Sequence, residues 1–214
     1  MSRPADPTVR SALKAAALRA FSVAGLHGAR IEDITGACSV SKGAFYLHFV
    51  SKEALFKEVL ESFRARMDAL TNARVAEVET FAARYGTLNA QDFALQTSRG
   101  QALLELESHH DRLTLELLWD ERLVFDVLLR GCKGTEFDGL VWELTSREVA
   151  RVQADFERLK STGCCRTDIP SDVFGSVVVG AWLMVARQMA TLEARPDLDA
   201  WVQALHRLVR EGAA

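Results

Sequence analysis

The chain has 214 residues, 49% hydrophobic and 26% charged, which excludes wholesale disorder and provides length for a sizeable core or two. The first ten residues, MSRPADPTVR, hold no apolar segment of the kind a secretory signal needs. The most apolar stretch, residues 173–186, is shorter than the ~18 residues of a membrane span, so a cytoplasmic protein is expected. The net charge of −3 hides an uneven distribution: residues 1–66 carry ten Lys+Arg against six Asp+Glu (+4), and the rest carries 16 against 23 (−7).

In chain order, Asp6-Pro7 supplies an N-cap followed by proline at the first helical position. Val9, Leu13, Ala16, Ala17, Ala20, Phe21 and Ala24 then share one helical face until Gly25 and Gly28 stop the helix. Residues 31–56, IEDITGACSVSKGAFYLHFVSKEALF, read as two helices of about two turns each and the start of a third. Their apolar sets are Ile31, Ile34 and Ala37, then Val40, Ala44, Phe45 and Phe49, with Cys38-Ser39-Val40-Ser41 as the turn between them. This layout suits a helix-turn-helix, whose second helix enters the DNA major groove. Ser51 opens Ser-Lys-Glu-Ala, a capped start for a fourth helix with Leu55, Phe56, Val59, Leu60, Phe63 and Met67 at helical spacing. That helix is expected to run past Arg66 and to connect head to body.

No later segment alternates as a strand does, so the rest is read as helix. Gly86 marks a break, and Asn89-Ala90-Gln91-Asp92 caps the next helix. The Leu-rich region 101–129 is expected to form two helices with a kink near His109-His110, ahead of a loop at 131–135. Further helices are expected over 138–160, 172–192 and 199–210. The fold class is therefore all-α, with a helix-turn-helix DNA-binding domain at 1–50 and a helical ligand-binding and dimerisation domain at 51–214. The 172–192 helix is apolar almost all round, and a helix without a wet face must be covered on more than one side. Gly175, Ser176, Gly180 and Ala181 would admit a close backbone. A homodimer through the 138–160 and 172–192 helices is the simplest cover; a central helix buried inside a monomer is the alternative.

For DNA contact the candidate residues are Arg30, Ser41, Lys42, Gly43, Tyr46, His48 and Lys52. Ser41, Lys42 and Gly43 open the recognition helix, where free N–H groups and the dipole favour phosphate. Lys42 reaches a guanine edge or a phosphate, and Tyr46 offers its hydroxyl. His48 and Lys52 read as phosphate clamps, Ala44 presents a methyl usable against thymine, and Arg30 suits a backbone contact. Phe45 and Phe49 point the other way, into the head.

The run SKGAFYLHFVSKEALF is similar to the signature of the TetR family of one-component transcriptional repressors: a Ser-Lys-Gly start, a Tyr three residues on, then His-Phe and Ser-Lys-Glu. The similarity covers roughly residues 8–60. Two positions depart from the family pattern. Ile31 stands where the family commonly has a Thr that touches the DNA backbone, and Ser39 where it commonly has a turn Gly. The resemblance implies a dimeric repressor that binds a palindromic operator and is released by a small, largely apolar ligand.

Leu103, Leu106, Trp119, Phe125, Phe137 and Trp142 would line an apolar ligand cavity between body helices, or form plain core. Cys164 and Cys165, next to Arg166, carry the alternative of a thiol- or metal-responsive regulator using the same head. They lack the Cys-x-x-Cys or His-x-x-x-His spacing of a metal site. A third reading is an all-α enzyme with an incidental helix-turn-helix. No Ser-His-Asp, phosphate-loop or paired-carboxylate motif stands out, so no catalytic residue, metal or cofactor is assigned.

Overall fold

The computed structural model describes residues 6–86, 88–89, 91–92, 95–163 and 165–213, without the side chains of 210–213. Among them are helices and no strand: α1 (Pro7–Gly28), α2 (Ile31–Ala37), α3 (Lys42–His48), α4 (Lys52–Tyr85) and α5 (Ser98–Asp120). Then come α6 (Arg122–Asp126), which continues into a π-helical turn (Val127–Gly131), and α7 (Leu140–Ser161), α8 (Ser171–Met189) and α9 (Leu198–Ala213). The all-α class inferred from the missing alternation is the class found.

The start signals act as read. The Asp6 carboxylate accepts from Thr8 N at 2.9 Å, and the Ser41 and Ser51 hydroxyls each accept from the amide three residues on, at 3.1 Å. The Leu-rich region does form more than one helix, but α5 passes through His109-His110 unbroken and the interruption falls at Glu121 (φ −100, ψ 17). Two histidines carry no helix-breaking backbone constraint, so nothing at 109–110 compels a kink.

The chain divides into two compact units, Met1–Ala65 with Glu121–Val141, and Arg66–Asp120 with Trp142–Ala214. The sequence reading puts its boundary at 50/51, where α4 begins. The first unit runs on to Ala65 because Leu55, Phe56, Val59, Leu60 and Phe63 of α4 are buried in it.

In the first unit α1 buries Leu13, Ala16, Ala17 and Phe21, α2 buries Ile34, and α3 buries Phe45. Phe56 meets Phe21 and Phe137 edge-on at 5.9 and 5.0 Å, and Phe63 meets Phe125 edge-on at 5.2 Å. The 121–141 segment is bound to α1 by polar contacts too. Buried Asp126 accepts the Ser22 hydroxyl at 2.5 Å and two Arg130 N–H groups at 2.6 Å. Gly25 (φ +73) breaks the regular helix inside α1, and Gly131 packs against the break. A Cβ on Gly131 would lie 3.2 Å from Phe21 O, and one on Gly25 would lie 3.3 Å from Gly131 O, so the approach is tight at both, and the φ of Gly25 favours glycine there besides.

In the second unit a charged seam joins α4, α5 and α9. Arg74 donates to Asp111 at 2.9 Å and to Glu107, while His206 Nε2 lies 2.6 Å from the other Asp111 oxygen. His110, buried on α5, lies 3.2 Å from Glu77 without hydrogen-bond alignment. On the other side Phe156 of α7 stacks on Phe174 of α8 at 3.8 Å. A Cβ on Gly175 would lie 2.9 Å from Val149 O, so this glycine serves contact within the chain. Gly180 has open space before it, and Val173, Val177 and Met184 form an exposed stripe on α8, Val177 being 65% exposed. The α8 helix is therefore not fully covered within one chain. Among the described residues no helix is long and apolar enough to cross a membrane.

Candidate DNA-binding surface

Helix α3 is held from behind and open in front. Phe45 is fully buried and Phe49, just past the helix, is nearly so, while Ser41, Lys42, Gly43, Tyr46 and Leu47 are exposed. The rear is pinned by Arg10 of α1, whose guanidinium lies 4.4 Å over the Phe49 ring and donates to His48 O at 2.9 Å. The same guanidinium and Lys14 hold Glu58 of α4. Their hydrogen bonds, that from Lys14 foremost, keep the Glu58 carboxyl below its ordinary range. One cation thus ties α1, the end of α3 and α4 together, and fixes how α3 is presented.

The turn between α2 and α3 demands an unusual backbone. Ser39 sits at φ +55, in the left-handed region where a residue with a Cβ is strained. A glycine would be at ease here, so Ser39 carries a real conformational cost.

Among the sequence candidates, Ser41 spends its hydroxyl capping α3, which leaves its backbone and outer face exposed. Lys42 Nζ lies 2.6 Å from Glu32 Oε1 of α2, with both side chains about half exposed. Their mutual hydrogen bond raises the lysine and lowers the glutamate, so both stay charged. Glu32 is the partner that sequence reasoning missed; at ten positions away across a turn, no helical spacing rule signals it. Gly43 stands open, since an added Cβ would meet only Ser41 Oγ at 3.7 Å. Tyr46 is 50% exposed and packs edge-on to Phe45. His48 is half-buried, and its Nδ1 has no hydrogen-bond partner among the described residues. Lys52 has an internal task as well: its ammonium donates to His27 O at 2.6 Å and Ala29 O at 2.9 Å, capping the end of α1. Arg30 is exposed at the start of α2. A shallow cleft of about 270 Å³ brings Arg30, Lys42, Tyr46 and Lys52 together with Glu32 and Val50.

The tentative ligand residues are dispersed. Leu103, Leu106 and Trp119 are half-buried along α5, and Trp142 is exposed at the start of α7. Phe125 and Phe137 are ring partners of Phe63 and Phe56 in the core of the first unit. A cleft of about 300 Å³ in the second unit is lined by Leu104, Ser108, Gln203, His206 and Arg207, and so includes none of the six. Of the cysteines, Cys132 is buried and burial pushes its thiol up to about 11, which leaves it unreactive near neutral pH. Cys38 and Cys165 are half-buried, and Cys164 lies outside the described residues. Among the described residues no group of three or more His, Cys, Asp or Glu is placed to hold a metal ion.

Residues 13–59, which hold α2, α3 and their supports, match the family described as bacterial regulatory proteins, tetR family. The HTH-type transcriptional repressor DhaR of Mycobacterium sp. (strain GP1) is 27% identical over 200 residues, covering 89% of this chain and 87% of that protein. An uncharacterized HTH-type transcriptional regulator of Bacillus subtilis (strain 168), YdgC, is 38% identical over 68 residues. That match spans 32% of this chain and 35% of the relative's own length. Among solved structures, ketosteroid transcriptional regulator KstR2 of Mycobacterium tuberculosis superposes with a TM-score of 0.66 at 17% identity, over 99% of each chain. The fatty acid degradation regulator FadR from Bacillus halodurans gives 0.62 at 16%, over 97% of each.

Proposed function

Starting from a chain that is a TetR-family transcriptional regulator with a DNA-binding helix-turn-helix, we propose that it is a repressor that works as a homodimer on a palindromic operator and is released by a small molecule. The observation that carries the reading is the two-sidedness of α3, sealed behind by Phe45 and Phe49 and open in front at Ser41, Lys42, Gly43 and Tyr46. The repressor sense draws support from the similarity to DhaR, which extends over most of both chains.

In this reading the Ser41–His48 segment of each subunit enters one of two major grooves about 34 Å apart. Lys42 exchanges Glu32 for a phosphate or a base edge, Tyr46 donates its hydroxyl, and the Gly43 backbone approaches closely. Arg30 and Lys52 supply positive charge at the margins, Lys52 while still capping α1, and His48 offers its ring to a phosphate. Pairing through the 138–160 and 172–192 helices is supported by the exposed Val173, Val177 and Met184 stripe, with Gly180 open beside it. Burying such a stripe against its copy removes apolar surface from water at roughly 25 cal/mol per Å². A ligand held among body side chains that include Leu103, Leu106, Trp119 and Trp142 would bind one head separation better than another and so lower operator affinity.

The test is a fluorescence anisotropy titration at fixed salt, using duplexes that the protein selects from a random-sequence pool, with native mass spectrometry of the free protein. Two chains per particle and a Lys42→Ala variant that binds weaker, with a salt slope reduced by about one, are expected. Unchanged binding by Lys42→Ala rejects the role of Lys42, and one chain per particle rejects the dimer.

A further inference from the structure

Gly43, Tyr46 and Leu47 fall at the i, i+3, i+4 spacing that ordinarily marks the buried side of a helix. Here that stripe lies in water: Tyr46 is 50% exposed and Leu47 63%, and Val50, past the helix end where Phe49 is already extended, is exposed as well. The core of the head is on the other side, around Phe45 and Phe49. Leu47 therefore adds little to the packing of the head, and an aliphatic side chain left in water on the outward side of α3 is available for contact.

Several polar groups beside the stripe have partners within the free protein, and only the half-exposed Lys42–Glu32 pair is open to exchange. Lys42 is held by Glu32, Lys52 by two carbonyl oxygens at the end of α1, and the Ser41 hydroxyl by the amide of Ala44. A guanine edge offers only acceptors, N7 and O6, and needs donors that are free to turn outward. What α3 presents besides these is one aromatic and one aliphatic side chain, Tyr46 and Leu47, next to the bare backbone of Gly43, with Val50 just beyond the helix end. In the major groove the matching feature is the C5 methyl group of thymine, which the other three bases lack. Because the stripe is continuous with the exposed face of a DNA-binding helix-turn-helix, a base edge is its fitting occupant.

Resting on the DNA-binding reading above, we propose that Leu47 is a specificity-determining residue that reads thymine methyl groups in each operator half-site, with Val50 extending the same apolar surface. The operator then carries thymine at a fixed place in each half, and the discrimination there is by shape and desolvation rather than by hydrogen bonds.

Duplexes selected by the wild-type protein from a random-sequence pool supply the probe. Each thymine of the selected half-site is replaced in turn by deoxyuridine, which deletes the methyl group and keeps every hydrogen-bonding group. At constant salt, wild-type affinity is expected to fall about 3- to 10-fold at one or two positions, the range for one or two buried methyl-sized groups. Leu47→Ala, on an exposed site and with a good helix former, keeps its helical circular dichroism, binds more weakly, and no longer distinguishes thymine from uracil at that position. A selected half-site without thymine, wild-type binding indifferent to uracil, or undiminished sensitivity in Leu47→Ala each overturns the proposal. So does a Leu47→Ala variant that lowers the oligomer mass while keeping the thymine preference, since the patch then serves a second copy. If the pool yields no enriched duplex, the DNA-binding reading falls with it; enrichment without methyl sensitivity removes only the role of Leu47.

Discussion

In the unit that carries α3 the helices meet through rings, Phe21 and Phe137 on Phe56 and Phe125 on Phe63, whereas in the other unit α4, α5 and α9 meet through Arg74, Asp111 and His206. Interlocked aromatic edges gain from close fit and tolerate little sliding, so they suit a part that must present α3 in one pose. A charged seam behaves differently. Arg74 divides its donors between Glu107 and Asp111, and Asp111 divides its oxygens between Arg74 and His206. Groups with more than one available partner can be satisfied in more than one arrangement, so this seam fixes its helices less tightly than the rings do. Val173, Val177 and Met184 add to the same contrast, since they leave apolar surface of that unit in water.

The sharpest way to break the contrast is Phe56→Ala. Removing a fully buried ring that touches two others is expected to cost about 3–5 kcal/mol, read by chemical denaturation, with specific DNA binding lost. A loss under about 1 kcal/mol would mean the rings are not what holds the head. Next comes Asp111→Asn, which removes the charge shared by Arg74 and His206. A loss of about 1–3 kcal/mol in the same measurement is expected, and no change would show the seam to be ornamental. On the outer surface of the head, Glu32→Gln releases Lys42 and removes a negative charge from the DNA side. Operator affinity should rise about 2- to 10-fold and its salt slope steepen by about one phosphate's worth; equal or weaker binding would show that Glu32 orients Lys42 rather than restraining it. The smallest expected effect is Ser39→Gly, a stabilisation of up to about 1 kcal/mol from relief of the left-handed strain, measured as a raised melting temperature.

Most of the head was legible because each of its devices is local. The Asp6 cap, the Ser41 and Ser51 caps and the inward Phe45 and Phe49 are separated by a few residues and obey helical spacing. The strain at Ser39 was legible for the same reason, since a tight turn exposes its backbone requirement in the residue type. Three features were not. The Glu32–Lys42 pair joins two helices across a turn, and Arg10 reaches Glu58 and His48 O from far along the chain. Leu47 drew no reading from the sequence, and it is the packing of Phe45 and Phe49 inward that leaves it outside. In the body, periodicity shows which residues are apolar but not which partner each one meets. The sequence thus left Phe125 and Phe137 as either cavity lining or plain core, and their rings lie against Phe63 and Phe56 of α4.

The polypeptide passes between its two units three times, after Ala65, after Asp120 and after Val141. A fragment or chimera cut after the fourth helix's opening turns would arrive without the Phe137 ring, without the Asp126 carboxylate that receives Ser22, and without the glycine that docks at the bend of α1. Anyone grafting this helix-turn-helix unit onto another protein must therefore transplant a discontinuous part: the first 65 residues and, from mid-chain, the segment of twenty-one (121–141) that completes their interior.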